Sequence, residues 1–108
     1  MSQQTEDILQ QFKACIPLLE VLTDVNRQAM IMLLAQNKSG LNVNTIAGHI
    51  NLSRPAVSHH LKVLKQSGFI KSEKKGVENY YVLTVRKPLE QLKSLITAVE
   101  DECDGLSD

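Results

Sequence analysis

Apolar residues recur along this chain mostly at helical spacing. In residues 5–22, Ile8, Leu9, Phe12, Ile16 and Leu19 recur at spacings of three and four, which puts them on one side of a helix. Pro17 lies inside this pattern and predicts a kink or a split there, because it lacks a backbone donor. Asp24 is the expected cap of a second helix from about Val25 to Gln36, with Ala29, Met30, Leu33 and Leu34 as its apolar face. Asn37-Lys38-Ser39-Gly40 reads as a turn. A third, short helix carries Val43, Ile46, Ala47 and Ile50 behind an Asn42 cap, and Asn51 suits a left-handed end to it. A fourth starts near Arg54, capped by Ser53, with Pro55 in a first turn that needs no donor there. Val57, Leu61 and Leu64 share its packed face, and Gly68 stops it.

The pattern then changes. Phe69–Glu73 and Asn79–Thr84 have strand composition, and Lys74-Lys75-Gly76-Val77-Glu78 joins them as a hairpin loop. Residues 88–103 return to helix, with Leu89, Leu92, Leu95, Ile96, Val99 and Cys103 as a nearly continuous apolar seam. The expected fold is mainly α with a small β-hairpin, in the order α-α-α-α-β-β-α, as one domain over residues 1–108.

Only Leu52 and Ser53 separate the third helix from the fourth. A join this tight makes either a helix-turn-helix, whose second helix enters the DNA major groove, or an ordinary αα-hairpin in a bundle. The spacing alone leaves both open, and charge favours the first. The net charge of the 108 residues is zero. Residues 53–76, however, carry six basic side chains against Glu73 alone, a net +5, while residues 77–108 come to −4. A hairpin directly after such a helix is then a wing, and the lysines expected at its tip fit that role. Both terminal helices are too apolar for so small a domain. Homodimerisation through Ile8, Phe12, Leu92, Leu95, Ile96 and Val99 would cover them and set two reading helices on one face of a duplex.

On the fourth helix Ser58, His59 and Lys62 are the best candidates for base edges, with Arg54 beside them. Arg54 or Lys62 gripping phosphate only is an equal alternative. Ser53, Pro55 and Lys65 complete that surface, and Lys74 and Lys75 extend it along the backbone. His60 sits at the edge of the packed face and reads as structural, with at most one phosphate contact; His49 reads as an exposed helix residue.

The residues from Leu19 to Thr84 resemble the ArsR/SmtB family of bacterial winged-helix repressors. Leu19-Glu20-Val21-Leu22-Thr23-Asp24-Val25-Asn26-Arg27 resembles the family's "L-x-x-L-x-D-x-x-R". The stretch from Leu52 to Ile70 resembles its "L-S-x-P-A-V-S-x-H-L-K-x-L-x-x-A-G-L-V" at most positions, and Gly76 to Leu83, with Tyr80-Tyr81, resembles its wing. The resemblance implies a homodimer built on the first and last helices, and operator binding that an inducer ends. Many members sense metals, and here the chain departs. Asn42 and Asn44 stand where one sensor type has a "C-x-C" pair, and the last helix has no histidine for the other. No metal site and no cofactor are expected.

The remaining chemistry is sparse. No apolar run is long enough to span a bilayer and the start of the chain is polar and acidic, so a cytoplasmic protein is expected. No catalytic spacing of Ser, His and Asp, phosphate loop or paired-carboxylate pocket stands out, which argues against an enzyme. Cys15 and Cys103 lie on the two terminal helices. Buried, inert thiols are the plainer reading, and a redox or soft-metalloid switch within or between protomers the sharper one. The other rival is a winged helix used as a protein–protein module, against which the +5 segment speaks.

Overall fold

The computed structural model describes residues 1–106. Helix α1 spans Gln3–Leu22, α2 Val25–Ala35, α3 Val43–Ile50, α4 Arg54–Gln66 and α5 Arg86–Glu102. Strands β1 (Ile70–Lys75) and β2 (Glu78–Leu83) lie between α4 and α5 and pair antiparallel, from Ile70 opposite Leu83 to Lys75 opposite Glu78. The winged helix-turn-helix order expected from the pattern is the order observed.

Side-chain caps start four of the helices. The Thr5 N–H donates to Ser2 Oγ, the Asn26 and Arg27 N–H groups to Asp24 Oδ1, the Thr45 N–H to Asn42 Oδ1, and the Ala56 N–H to Ser53 Oγ. Each removes an orphan donor, which is typically worth about 1 kcal/mol. The fifth start is different. Val85 offers α5 no side-chain cap, and Arg86 and Lys87 follow it in the positive end of the helix dipole. Glu100, Asp101 and Glu102 crowd the negative end, so the charges of α5 run against its dipole at both termini.

Three expectations change. Helix α1 runs unbroken through Pro17, which is exposed, so water can replace the lost donor. On α2, Met30 and Leu34 are buried and Leu33 and Ile31 half-buried, but Ala29 faces solvent. The hairpin loop shrinks to Gly76-Val77. Gly76 takes φ +64° at the first central position, as a two-residue turn of type II′ does, and Lys74 and Lys75 become the last residues of β1.

The core gathers the back of every element: Leu18 and Val21 from α1, Met30 and Leu34 from α2, Ile46 from α3, Val57, Leu61 and Leu64 from α4, then Phe69 and Ile70. Burying each such side chain fully contributes about 1.5–3 kcal/mol. The radius of gyration is 17.1 Å, against roughly 13 Å for a compact chain of this length. The excess reflects a long axis of 53 Å. Helices α1 and α5 pack on each other, and much of their outer surface is left uncovered.

Leu41 extends the hairpin by one more pairing. Its N–H donates to Tyr81 O at 3.2 Å and its carbonyl accepts from the Tyr81 N–H at 2.8 Å. Gly40 makes this approach possible. It sits at φ +99°, and a Cβ there would stand 2.8 Å from Val82 Cγ1 and 3.1 Å from Tyr81 O. Gly40→Ala should therefore destabilise the fold by about 2–3 kcal/mol, combining left-handed strain with a backbone collision. Urea unfolding should show a lower midpoint at unchanged slope; an unshifted midpoint would mean the loop simply moves aside.

Candidate nucleic-acid interface

The reading surface begins at Asn51. It closes α3 in the left-handed region, at φ 60° and ψ 46°, where its N–H still donates to Ala47 O. The left-handed step turns the chain sharply enough that α4 starts three residues later. Val57, Leu61 and Leu64 then hold the back of α4, each no more than 1% exposed. With the back fixed, helical geometry sends Arg54, Pro55, Ser58, His59 and Lys62 outward, and all five are exposed. Arg54, Ser58, His59 and Lys62 make no side-chain hydrogen bond or ion pair among the described residues. Ser53 is exposed too, but its hydroxyl is engaged as the cap.

The lysines divide. Lys65 Nζ donates to Ser72 Oγ at 3.0 Å, tying the end of α4 to β1. Lys75 Nζ donates to Ser39 O at 2.9 Å and lies 4.9 Å from the centre of the Tyr80 ring, so it holds the wing to the α2–α3 loop. Lys74 is exposed and has no such contact among the described residues. A second clamp is one the sequence did not suggest: Asn42 Nδ2 donates to Glu78 Oε2 at 2.9 Å, and the Tyr80 hydroxyl lies 3.4 Å from the same oxygen. These contacts border a cleft of about 210 Å³ between the start of α3, Arg54 and the wing.

The model of bacterial regulatory proteins of the arsR family matches residues 24–72. The transcriptional repressor SdpR of Bacillus subtilis is 38% identical over 65 residues, covering 59% of this chain and 69% of the repressor. A crystal structure described as a possible transcriptional regulator for arsenical resistance is 34% identical, with a TM-score of 0.64 over 76% of this chain and 82% of that one. The chain belongs to the ArsR family. It is a transcriptional regulator. A solution structure from Mycobacterium bovis, a homodimeric winged helix-turn-helix DNA-binding domain, shares the fold at 24% identity and a TM-score of 0.64, covering 94% of this chain and 89% of that one.

In this ArsR-family chain the acidic and basic members of "L-x-x-L-x-D-x-x-R" serve structure. The Arg27 side chain is only 14% exposed. Its Nε–H donates to Val21 O at 3.1 Å and Nη2 to Glu20 O at 3.0 Å, capping the end of α1. Nη1 lies 3.3 Å from His60 Nδ1 and 3.9 Å from Asp24 Oδ2. His60, read from sequence as structural at the edge of the packed face with at most one phosphate contact, is half-buried and engaged with Arg27 behind α4. His49 is exposed, as expected.

The terminal helices also sort their residues. Leu95 is buried in the chain's own core, which removes it from the expected dimer surface, and Ile8, Leu92 and Val99 are half-buried. Phe12 and Ile96 remain exposed. Phe12 belongs to a stripe of Leu9, Phe12, Ile16 and Leu19, each 43–49% exposed at spacings of three, four and three. That spacing was visible in sequence as an apolar helix face, on which Phe12 was expected at a dimer surface. Cys15 is buried beside Gln91, with Sγ 3.8 Å from the Gln91 carbonyl. Cys103 is exposed, near Thr5 and Ile8. The twelve residues from Gln91 to Cys103 span about 18 Å of helix, and a disulfide needs Cα atoms within about 7 Å. A bridge within one chain is out of reach. Among the described residues no three His, Cys, Asp or Glu side chains are grouped to hold a metal ion, and no helix is long and apolar enough to cross a membrane.

The Arg27 N–H bonded to Asp24 holds that carboxyl below its usual value; partial burial opposes this, and the Asn26 N–H and the charges of His60 and Arg27 reinforce it. A carboxyl depressed in the folded state contributes stability above its unfolded value, near 3.9, and loses it as pH falls through the folded value. Asp24→Asn keeps a cap but not the charge. It should flatten the acid limb of the stability–pH curve and cost little of the cap itself. Urea unfolding of both proteins at about pH 7 and about pH 3 should show the gap between them closing at the lower pH. A gap that widens on acidification would contradict the assignment.

Proposed function

We propose that this regulator represses transcription as a homodimer bound to a two-fold-symmetric operator. The observation that carries the reading is α4: capped, held from behind, and presenting Arg54, Ser58, His59 and Lys62 unengaged to solvent. Donors left free on a rigid helix are what base edges and phosphates require. Ser58 and His59 read bases, Arg54 and Lys62 reach guanine or phosphate, and Lys74 meets backbone beside the helix. The uncovered stripe on α1 and the exposed Ile96 supply the dimer surface, and the M. bovis domain of like fold is itself homodimeric. The whole of residues 1–108 acts as one DNA-binding and dimerising domain, without catalysis, cofactor or membrane attachment, and a DNA partner puts its work in the cytoplasm. Half-sites should lie about 34 Å apart, one helical turn.

Selection of bound sequences from a random duplex pool, followed by titration at several salt concentrations, tests this. A palindromic consensus and a steep salt dependence are expected. Tight binding to DNA by a protein that stays monomeric at micromolar concentration would overturn it. Ser58→Ala and His59→Ala should relax preference at particular base pairs by about 1–3 kcal/mol. Lys74→Ala should weaken all sequences alike and lower the salt slope by about one. Equal weakening on all sequences from all three variants would count against base reading by α4.

Zinc, nickel and cobalt should leave the DNA complex intact at micromolar levels. Asn42 is already occupied by Glu78, and amide side chains are poor ligands for such ions beside nitrogen and sulfur sites. The thiol switch has less support, because Cys15 is buried and the two thiols are far apart in one chain. Release of DNA by any of the three ions in a mobility-shift titration would refute the metal-independent reading.

A further inference from the structure

The front of α4 is polar except in its first turn. Pro55, His59, Lys62 and Gln66 follow one another at spacings of four, three and four. At about 100° per residue they fall within a stripe about 60° wide, opposite Val57, Leu61 and Leu64. All four are exposed. This stripe is the crest of the helix, the part that stands furthest from the core. His59, Lys62 and Gln66 bring donors or acceptors to it, and Pro55 brings a hydrocarbon ring. Arg54, one residue earlier, lies off the crest and lines the cleft beside the wing. Starting the helix uses the fixed φ of Pro55 and its missing donor, and leaves the solvent-facing ring without a task.

An apolar side chain at the head of a reading helix has one match in the major groove. The edges of guanine, adenine and cytosine there carry donors and acceptors, and thymine alone adds a C5 methyl. The first residues of such a helix are the ones that approach base edges. A donor or acceptor covered by a proline ring loses water and gains no partner. A methyl loses nothing and gains burial. Resting on the DNA reading proposed above, we infer that Pro55 is a specificity residue that reads the methyl of a thymine. His59 stands four residues further on, about 6 Å along the axis, so this thymine lies within about two base pairs of the pair that His59 meets. The position is discriminated by contact of carbon with carbon, beside positions read by hydrogen bonds.

Exchanging thymine for uracil removes this methyl and leaves every donor and acceptor in place. On the selected consensus duplex, the full-length wild type should lose about fourfold in affinity for one such exchange at one thymine position of a half-site, and roughly fifteenfold when both half-sites are exchanged. Pro55→Ser should bind the thymine and uracil duplexes equally, with a urea midpoint close to that of the wild type. Should the serine variant unfold, Pro55→Ala, which keeps only Cβ, should reduce the difference to less than about twofold. A wild type indifferent to every uracil exchange overturns the inference, as does a consensus with no fixed thymine. So does a uracil penalty that persists unchanged in Pro55→Ser or Pro55→Ala, since another side chain then covers the methyl. In those outcomes the DNA reading stands. Failure of the wild type to select any duplex sequence refutes that reading and this inference together.

Discussion

A guanidinium offers five donors in a fixed plane, and Arg27 uses that geometry to join three helices. Two donors close the end of α1, on Glu20 O and Val21 O, and a third reaches His60 on α4. The residue itself sits in the first turn of α2, where its own N–H bonds Asp24. Lysine could not reproduce this, because a single ammonium has neither the fork nor the reach to two carbonyls and an imidazole together. The position of the reading helix relative to the long terminal helix therefore depends on one side chain that is almost entirely covered.

The functional surface follows from fixing the back of α4 and leaving its front alone. Arg54, Ser58, His59 and Lys62 have no partner among the described residues, while Lys65 and Lys75 are spent on holding the wing. Basic residues that looked equivalent in sequence thus separate into an unengaged set and a bracing set. The difference lies in whether a serine or a carbonyl happens to stand within reach.

Local signals were legible in the sequence, and contacts between distant segments were not. Asp24, Asn42 and Ser53 as caps, Asn51 as a left-handed stop and the backing by Val57, Leu61 and Leu64 all depend on neighbours within a turn or two, and all appear as read. The Leu41 pairing, the Asn42–Glu78 clamp and the grip of Lys75 on Ser39 each join residues 36 to 40 positions apart, where periodicity is silent. Leu95 and Phe12 show the same limit. Both lie on apolar helix faces, and only the packing of α1 on α5 decides that one is covered and the other is not. The hairpin lysines were misplaced because the run around Gly76 looked like a longer loop, when a glycine at positive φ closes it in two residues.

The Leu41 pairing has a further consequence for solubility. A two-stranded sheet has two open edges, each a template onto which another chain can add a strand. Part of the outer edge of β2 is occupied by Leu41, locked there because Gly40 lets the backbone approach. The outer edge of β1 runs through Lys71, Glu73, Lys74 and Lys75, and a row of charges is costly to dehydrate against a neighbour. Fibre-like growth is discouraged at both margins.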